Sequence, residues 1–435
     1  VRRLLPFVLV ALLAGGCWDR LEVNDLALAT GMAVDVGDAL PYRLSIQVIL
    51  PRQVGGPAGS GMGGGGGGGL AEGQTVALFS KEGRSLTEAL ASLQQELSRR
   101  IRLGHTGFIV LGEKLARRGI ADVIGLFATN RDVRLRTPVL VTEGEGLAVL
   151  RAQPALESVP GVVVEELQDF GLLPRATVGT LADQLGREGV EPITARLAAV
   201  PALRPSATEG GGGGGGGGGG PSPIRQELRL TGAALFKGDR LVGFVGPQEA
   251  RAILWVKNQI REANITAFPP EGGAVTARVI RAVTKLDVRM TPAGPEAVLK
   301  VRGIDDVAEN SARLDLTDTV VVRRVESLLE RTLAARIRRG VEAAQRLNAD
   351  VLGFGFALYK SDPEGWRERW SKEWDQLFPQ VRFRPQVDLE VRRIGLVPEP
   401  VNEPEVPFRH YPAGEPGQVP EGASDLPPGG GPPRD

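Results

Sequence analysis

The sequence predicts a mixed α/β protein of three domains, each a β-sheet packed with helices, behind a short apolar leader. Three observations carry that expectation. Stretches with period-two apolar alternation, such as Tyr42 to Leu50, alternate along the chain with stretches whose apolar residues recur every three or four positions, such as Ser85 to Ile101. Two glycine tracts and a proline- and glycine-rich end interrupt that pattern where there is no apolar face to bury. The length, 435 residues, allows about three cores at roughly 150 residues each. The expected organisation is a leader over 1–16 and an N-terminal domain over 17–155 with a Gly-rich loop at 55–69. A middle domain over 156–265 follows, with a Gly-rich linker at 205–223. A C-terminal domain over 266–396 and a disordered tail over 397–435 complete the chain.

Arg2 and Arg3 precede an apolar run from Leu4 to Ala14, followed by Gly15, Gly16 and Cys17. A charged start, an apolar run and small residues before a cut form a signal segment. As a helix the run rises only about 16 Å against a hydrocarbon core of about 30 Å, too short for a permanent span. Cys17 is the only cysteine of the chain. A thiol is unnecessary at an ordinary cleavage site, so its place at the expected cut points to lipidation of Cys17. One acyl chain binds a bilayer only marginally, and two or more hold a protein there stably.

Lys plus Arg and Asp plus Glu both count 52, so no global field draws the chain to nucleic acid or to anionic lipid, and any basic surface must be local. A single cysteine excludes an internal disulfide and a cysteine-based zinc cluster. Two histidines, His105 and His410, leave little for another metal site. No GxSxG elbow, HExxH or P-loop is present, and the glycine tract Gly210 to Gly220 matches GxGxxG only trivially. His105 falls at a helix-to-strand junction, where capping or a backbone hydrogen bond is its expected role. Glu165/Glu166 and Asp305/Asp306 are sequence neighbours, expected to point apart or face solvent. No catalytic, cofactor or metal residue is assigned, and the chain is expected not to be an enzyme.

In order, YRLSIQVIL reads as a half-buried strand from Tyr42, with Ser45 and Gln47 on its polar side. RSLTEALASLQQELSRRI puts Leu86, Leu90, Leu93, Leu97 and Ile101 on one helical face, with Ser85 and Glu88 spaced as a capping box. A strand at Phe108 to Leu111, a helix through Leu115, Val123, Ile124 and Phe127, and a strand in TPVLVTEG make a crossover unit. From Ala155 to Pro201 the pattern is helical. Lys237-Gly238-Asp239 marks a hairpin, and a helix starts at Pro247 and runs through Ile260. Two alternating strands follow. A segment from Asp318 to Leu347 then aligns Val321, Val325, Leu329, Leu333 and Ile337. Its arginines are balanced by Glu326, Glu330 and Glu342, as on a solvated face. Asp362 caps a helix with Pro363 in its first turn, and Trp366, Trp370 and Trp374 recur every fourth residue as a packed core face. VRFRPQVDLEVRRIG closes the last domain as a strand.

Four blocks together resemble the Ger(x)C family of spore germination proteins, the lipoprotein C subunits of nutrient germinant receptors. They are GCWDRLEVNDLALATGMAVD, the stretch from Gly83 to Ile124 that includes His105, LTGAALFKGDRLVGFVGPQEARAILWV, and the stretch from Asn348 to Gly395 that includes the tryptophans. The resemblance implies three α/β domains on a lipid anchor at the outer face of the spore inner membrane. It also implies work beside two membrane-embedded partners, the A and B subunits. Cys17 is the residue it equips with a role, as the lipidated cysteine. The glycine tracts and the tail depart from the family pattern. A solute-binding lipoprotein of a transporter and an envelope hydrolase with a carboxylate site are the other function classes the sequence leaves open.

Overall fold

The computed structural model describes residues 25–49, 76–152, 160–202 and 226–393. Cys17 with its leader, both glycine tracts and the expected tail lie outside them. The chain divides into two compact units. The first is drawn from the chain up to Glu262, Ala282–Arg302 and Leu333–Val387; the second from Ala263–Arg281, Gly303–Thr332 and the residues from Asp388 on.

In the first unit, β1 (Leu26–Asp35), β2 (Tyr42–Ile49), β3 (Val76–Gly83), β5 (Phe108–Gly112), β6 (Val139–Thr142), β7 (Ile193–Pro201), β8 (Gln226–Lys237) and β9 (Arg240–Val245) join in one sheet. Their order is β3-β2-β1-β5-β6-β7-β8-β9, and β4 (Arg100–Arg102) pairs with the start of β1. The centre, β1-β5-β6-β7, is parallel, and both flanks are antiparallel. Parallel strands bury both faces, and all five residues of β5 are buried. On one face α1 (Leu86–Glu96), α2 (Glu113–Arg118), α3 (Ala121–Thr129) and α6 (Val178–Gly186) bring Leu93, Leu115, Ile124 and Leu181 onto Met32, Ile109 and Val141. On the other, α4 (Gly146–Leu150) packs so close that a Cβ at Gly146 would stand 3.0 Å from the Ala33 methyl. The expected boundary between residues 155 and 156 therefore falls inside one sheet, because β7, β8 and β9 extend it.

Several sequence expectations change for identifiable reasons. The helix expected to reach Ile101 ends at Glu96: Gln94 Nε2 donates to the Arg99 carbonyl and its Oε1 accepts from the Ile101 amide, both at 2.9 Å, and Ile101 pairs with Ala27 in β4. Half of the expected capping box forms. Ser85 Oγ accepts from the Glu88 amide, while the Glu88 carboxylate reaches past the cap to the Arg84 amide at 2.9 Å. In β2 the polar side is covered too: Ser45 and Gln47 are buried, and Gln47 Nε2 donates to the Leu150 carbonyl of α4 at 3.0 Å. The stretch expected to be helical through Pro201 holds α5 (Pro160–Asp169) and α6, then becomes β7, whose alanines are held extended by the ladder to β8 from Ile193↔Leu235 to Pro201↔Gln226. The helix from Pro247, α7 (Pro247–Val256), stops four residues short of Ile260, where Asn258 takes φ +55°.

A four-stranded sheet, β10-β11-β12-β13, is built from β10 (Ala263–Ala267), β11 (Val275–Thr291), β12 (Gly294–Asn310) and β13 (Arg382–Arg393). The long helix α8 (Thr319–Arg346) has 28 residues and is about 42 Å long at its helical rise. In the second unit its Val321, Val325 and Leu329 are buried. Glu330 and Glu326 of α8 accept hydrogen bonds from the Leu389 and Val391 amides of β13, at 3.0 and 2.9 Å, occupying donors that an edge strand would otherwise leave open.

Candidate functional site

The most elaborate polar arrangement of the first unit is built on Asp350, in the turn that follows α8. Only 3 % exposed, its carboxylate accepts four hydrogen bonds. Oδ1 takes the amides of Gly353 and Phe354, at 2.9 and 3.0 Å. Oδ2 takes the amide of Gly355 at 2.6 Å and the indole Nε1 of Trp374 at 3.0 Å. These amides open α9 (Phe354–Ser361), so the carboxylate occupies the donor end of that helix. Burial pushes the carboxyl up to about 6, opposed by the four donors. The four donors favour the ionised form, which can accept from all of them.

The same turn is stitched to the segment before β7. The Glu191 amide donates to the Asp350 carbonyl at 3.0 Å and the Phe356 amide to the Gly189 carbonyl at 2.7 Å. Gly189 has φ +71°, and a Cβ there would lie 2.5 Å from the backbone of Gly355 and Phe356. Lys257 Nζ donates to the Val351 carbonyl at 2.9 Å; burial lowers its pKa, and Asp350 works in the opposite direction. Glu191 accepts from the Gly238 amide of the β8–β9 turn at 2.6 Å, and burial raises its carboxyl against that hydrogen bond.

Around this junction lies a cleft of about 260 Å³ lined by Arg187, Glu191, Trp366, Ser371, Trp374 and Asp375 among others. Trp366 and Trp374 meet edge to face, 5.4 Å between centroids, and Trp366 Nε1 donates to Glu188 at 3.2 Å. Arg187 lies over the Phe356 ring at 5.2 Å and pairs with Asp183 at 2.7 Å, while Lys237 pairs with Asp375 at 3.0 Å. With its acceptors filled, Asp350 acts as a clamp that fixes three chain segments. The cleft is lined by the buried indoles of Trp366 and Trp374, whose N–H groups are already engaged, and by the carboxylates of Glu191 and Asp375.

The residues singled out from sequence distribute widely. Trp366 and Trp374 are buried as a core face, with 3 % and 7 % exposure, while Trp370 remains partly exposed. Trp366–Trp370 winds as a π-helix, so the every-fourth-residue register slips there. Asp362 caps the segment as expected, accepting from the Gly365 amide at 2.9 Å. His105 is exposed in the turn between β4 and β5, and Glu165 and Glu166 are exposed on α5. Asp305 does not face solvent: it is fully buried in the second unit, neither carboxylate oxygen has a hydrogen-bond partner, and burial beside Asp306 and Glu326 pushes it up to about 7. Cys17 lies outside the described residues. Sequence reasoning missed Asp350, Glu191 and Gly189. The signal for the first was present, since an aspartate ahead of closely spaced glycines marks a side chain that captures turn amides.

The comparisons with known proteins fall on this same framework. A family model described as "Spore germination protein N-terminal domain" matches residues 19–199, and one described as "Spore germination B3/ GerAC like, C-terminal" matches residues 231–395. The chain is 27 % identical to Spore germination protein KC of Bacillus subtilis (strain 168), over 92 % of this chain and 98 % of that protein. It is 19 % identical to Spore germination protein GerQC of Bacillus cereus, over 75 % and 84 %. Among solved structures, the crystal structure of the GerBC protein aligns with a TM-score of 0.50 at 16 % identity, covering 86 % of this chain and 99 % of that one, a likeness of fold. The junction at Asp350 joins residues of both matched regions, and the chain that carries both belongs to the Ger(x)C family of spore germination proteins.

Proposed function

We propose that this protein is a non-enzymatic, lipid-anchored subunit of a spore nutrient germinant receptor. It acts beside membrane-embedded A and B subunits at the outer face of the spore inner membrane. The observation that carries the reading is the match of both family regions, which together span residues 19–395 apart from a short gap, behind a leader that ends at Cys17. The anchor confines the folded units near the membrane and raises their effective concentration for the partners, so modest docking surfaces suffice. A clamp whose acceptors are all occupied supports a scaffold that presents surfaces rather than one that turns over a substrate.

Replacing Cys17 with Ala is expected to release the protein from the membrane fraction and to slow nutrient-triggered germination. Full membrane retention of that variant, with normal germination, would overturn the anchored reading. A second reading, a solute-binding lipoprotein, draws on the indole- and carboxylate-lined cleft. A tight, saturable calorimetric titration with an amino acid or sugar, lost in Glu191→Ala, would favour it over the receptor subunit.

A further inference from the structure

The outer face of the four-stranded sheet carries a local concentration of positive charge that the balanced composition hides. On β12, Leu299 and Val301 are buried, while Lys300 and Arg302 between and beyond them are exposed. On β11, Lys285 and Arg289 are exposed, and on β13, Arg382 and Arg384. Glu296 of β12 ties these strands together on one face, taking Arg289 of β11 and Arg384 of β13 at 3.0 Å each. Both arginines and the salt bridges they make hold its carboxyl below the usual range. Arg382 adds a hydrogen bond to Thr291 Oγ1 at 3.1 Å. Between Val283 and Arg302 and at the start of β13 the face sets six cationic side chains against two carboxylates, Asp287 and Glu296, and further along β13 it continues with Asp388 and Glu390, in a chain whose two signs balance overall. Val283 shares it, half exposed. The six basic residues and Val283 belong to the first unit.

We propose that this face docks on the surface of an anionic phospholipid bilayer. Charge complementarity selects the partner: long lysine and arginine stems reach a plane of headgroup phosphates without burying the strand, and Val283 can contact the interface beneath them. Each basic residue held near an anionic leaflet strengthens binding roughly fivefold, within a screening distance of about 8 Å at physiological salt. The inference rests on the membrane placement proposed above, and it adds an orientation: with one end tethered, the sheet would turn this face to the bilayer.

The test uses the full chain carrying Cys17→Ala, so that no acyl chain contributes. Its sedimentation is measured with phosphatidylcholine vesicles and with vesicles containing phosphatidylglycerol, at low and high salt. The expected result is a salt-sensitive preference for the anionic vesicles that falls at least tenfold in Lys285→Glu/Lys300→Glu, with an unchanged thermal midpoint. The charge-matched control Arg131→Glu/Arg134→Glu should keep the preference. An equal preference in both double variants would overturn the proposal. So would an unaltered vesicle preference accompanied by lost co-purification with polytopic membrane proteins, which would assign the face to a protein partner. Because no arm depends on lipid at Cys17, failure here is distinguishable from failure of the anchored-subunit reading, which fractionation of the Cys17→Ala variant decides.

Discussion

Trp374 Nε1 donates to Asp350 Oδ2 across 24 residues at 3.0 Å, closing a carboxylate that already holds three backbone amides. Removing the acceptor leaves all four donors without a partner in the interior. Asp350→Ala should therefore cost about 3–5 kcal/mol of stability, the range for breaking a buried charged network on one side. Urea denaturation of the purified chain measures it. A loss below about 1 kcal/mol would mean that water or a rearranged turn replaces the carboxylate.

Close backbone approach at the same junction makes a second prediction. A Cβ at Gly355 would meet the Trp366 ring at 2.7 Å, Trp374 Nε1 at 2.9 Å and Gly189 Cα at 3.0 Å. Gly355→Ala should destabilise by roughly 1–3 kcal/mol through overpacking and should quench or shift tryptophan fluorescence as the rings move. Gly125→Ala, where nothing lies within 4 Å, provides the contrast. Equal effects at the two positions would contradict the packing argument.

Asp305 makes the second unit sensitive to pH. Its carboxyl titrates near 7 when folded, against an ordinary value of 3.8, so between those values the folded chain keeps a proton that the unfolded chain has released. Stability therefore falls as pH rises from about 4 to about 7 and is level above that, by at most about 4 kcal/mol. Asp305→Asn removes the dependence, so its advantage over the parent should grow across that window. Amide exchange over residues 303–332 at pH 5 and pH 8 reads the difference. An advantage that is the same at both pH values would rule out an ionisable burial cost.

Glu82 behaves in the opposite sense. It accepts the amides of Asp38, Ala39 and Leu40 at 2.8, 2.9 and 3.0 Å and pairs with Arg43, and these donors pull its carboxyl down to about 2. A depressed carboxyl contributes its stabilisation above its ordinary 4.5 and loses it as pH falls toward 2. Glu82→Ala should accelerate exchange of the three amides at pH 6. The gap between variant and parent should narrow as acid protonates the parent; a gap that persists unchanged at pH 2 would refute the assignment.

What the sequence determined by itself is visible in elements whose burial follows local period. The stripe Val321, Val325, Leu329, Leu333 and Ile337 marked α8, Lys237-Gly238-Asp239 marked the β8–β9 turn, and Trp366 and Trp374 were marked as core. The blocks around them marked the family. Tertiary structure decided the rest. ITARLAAVP is a strand because β8 lies beside it, Ser45 and Gln47 are buried because α4 covers them, and Asp305 is interior while its neighbour Asp306 is only partly covered. Periodicity records which side of a segment avoids water, since that choice is made within one or two turns of chain. Which element arrives to cover it, and which amides gather on a buried carboxylate such as Asp350, depends on contacts between residues far apart in sequence, and those exist only once the chain has folded.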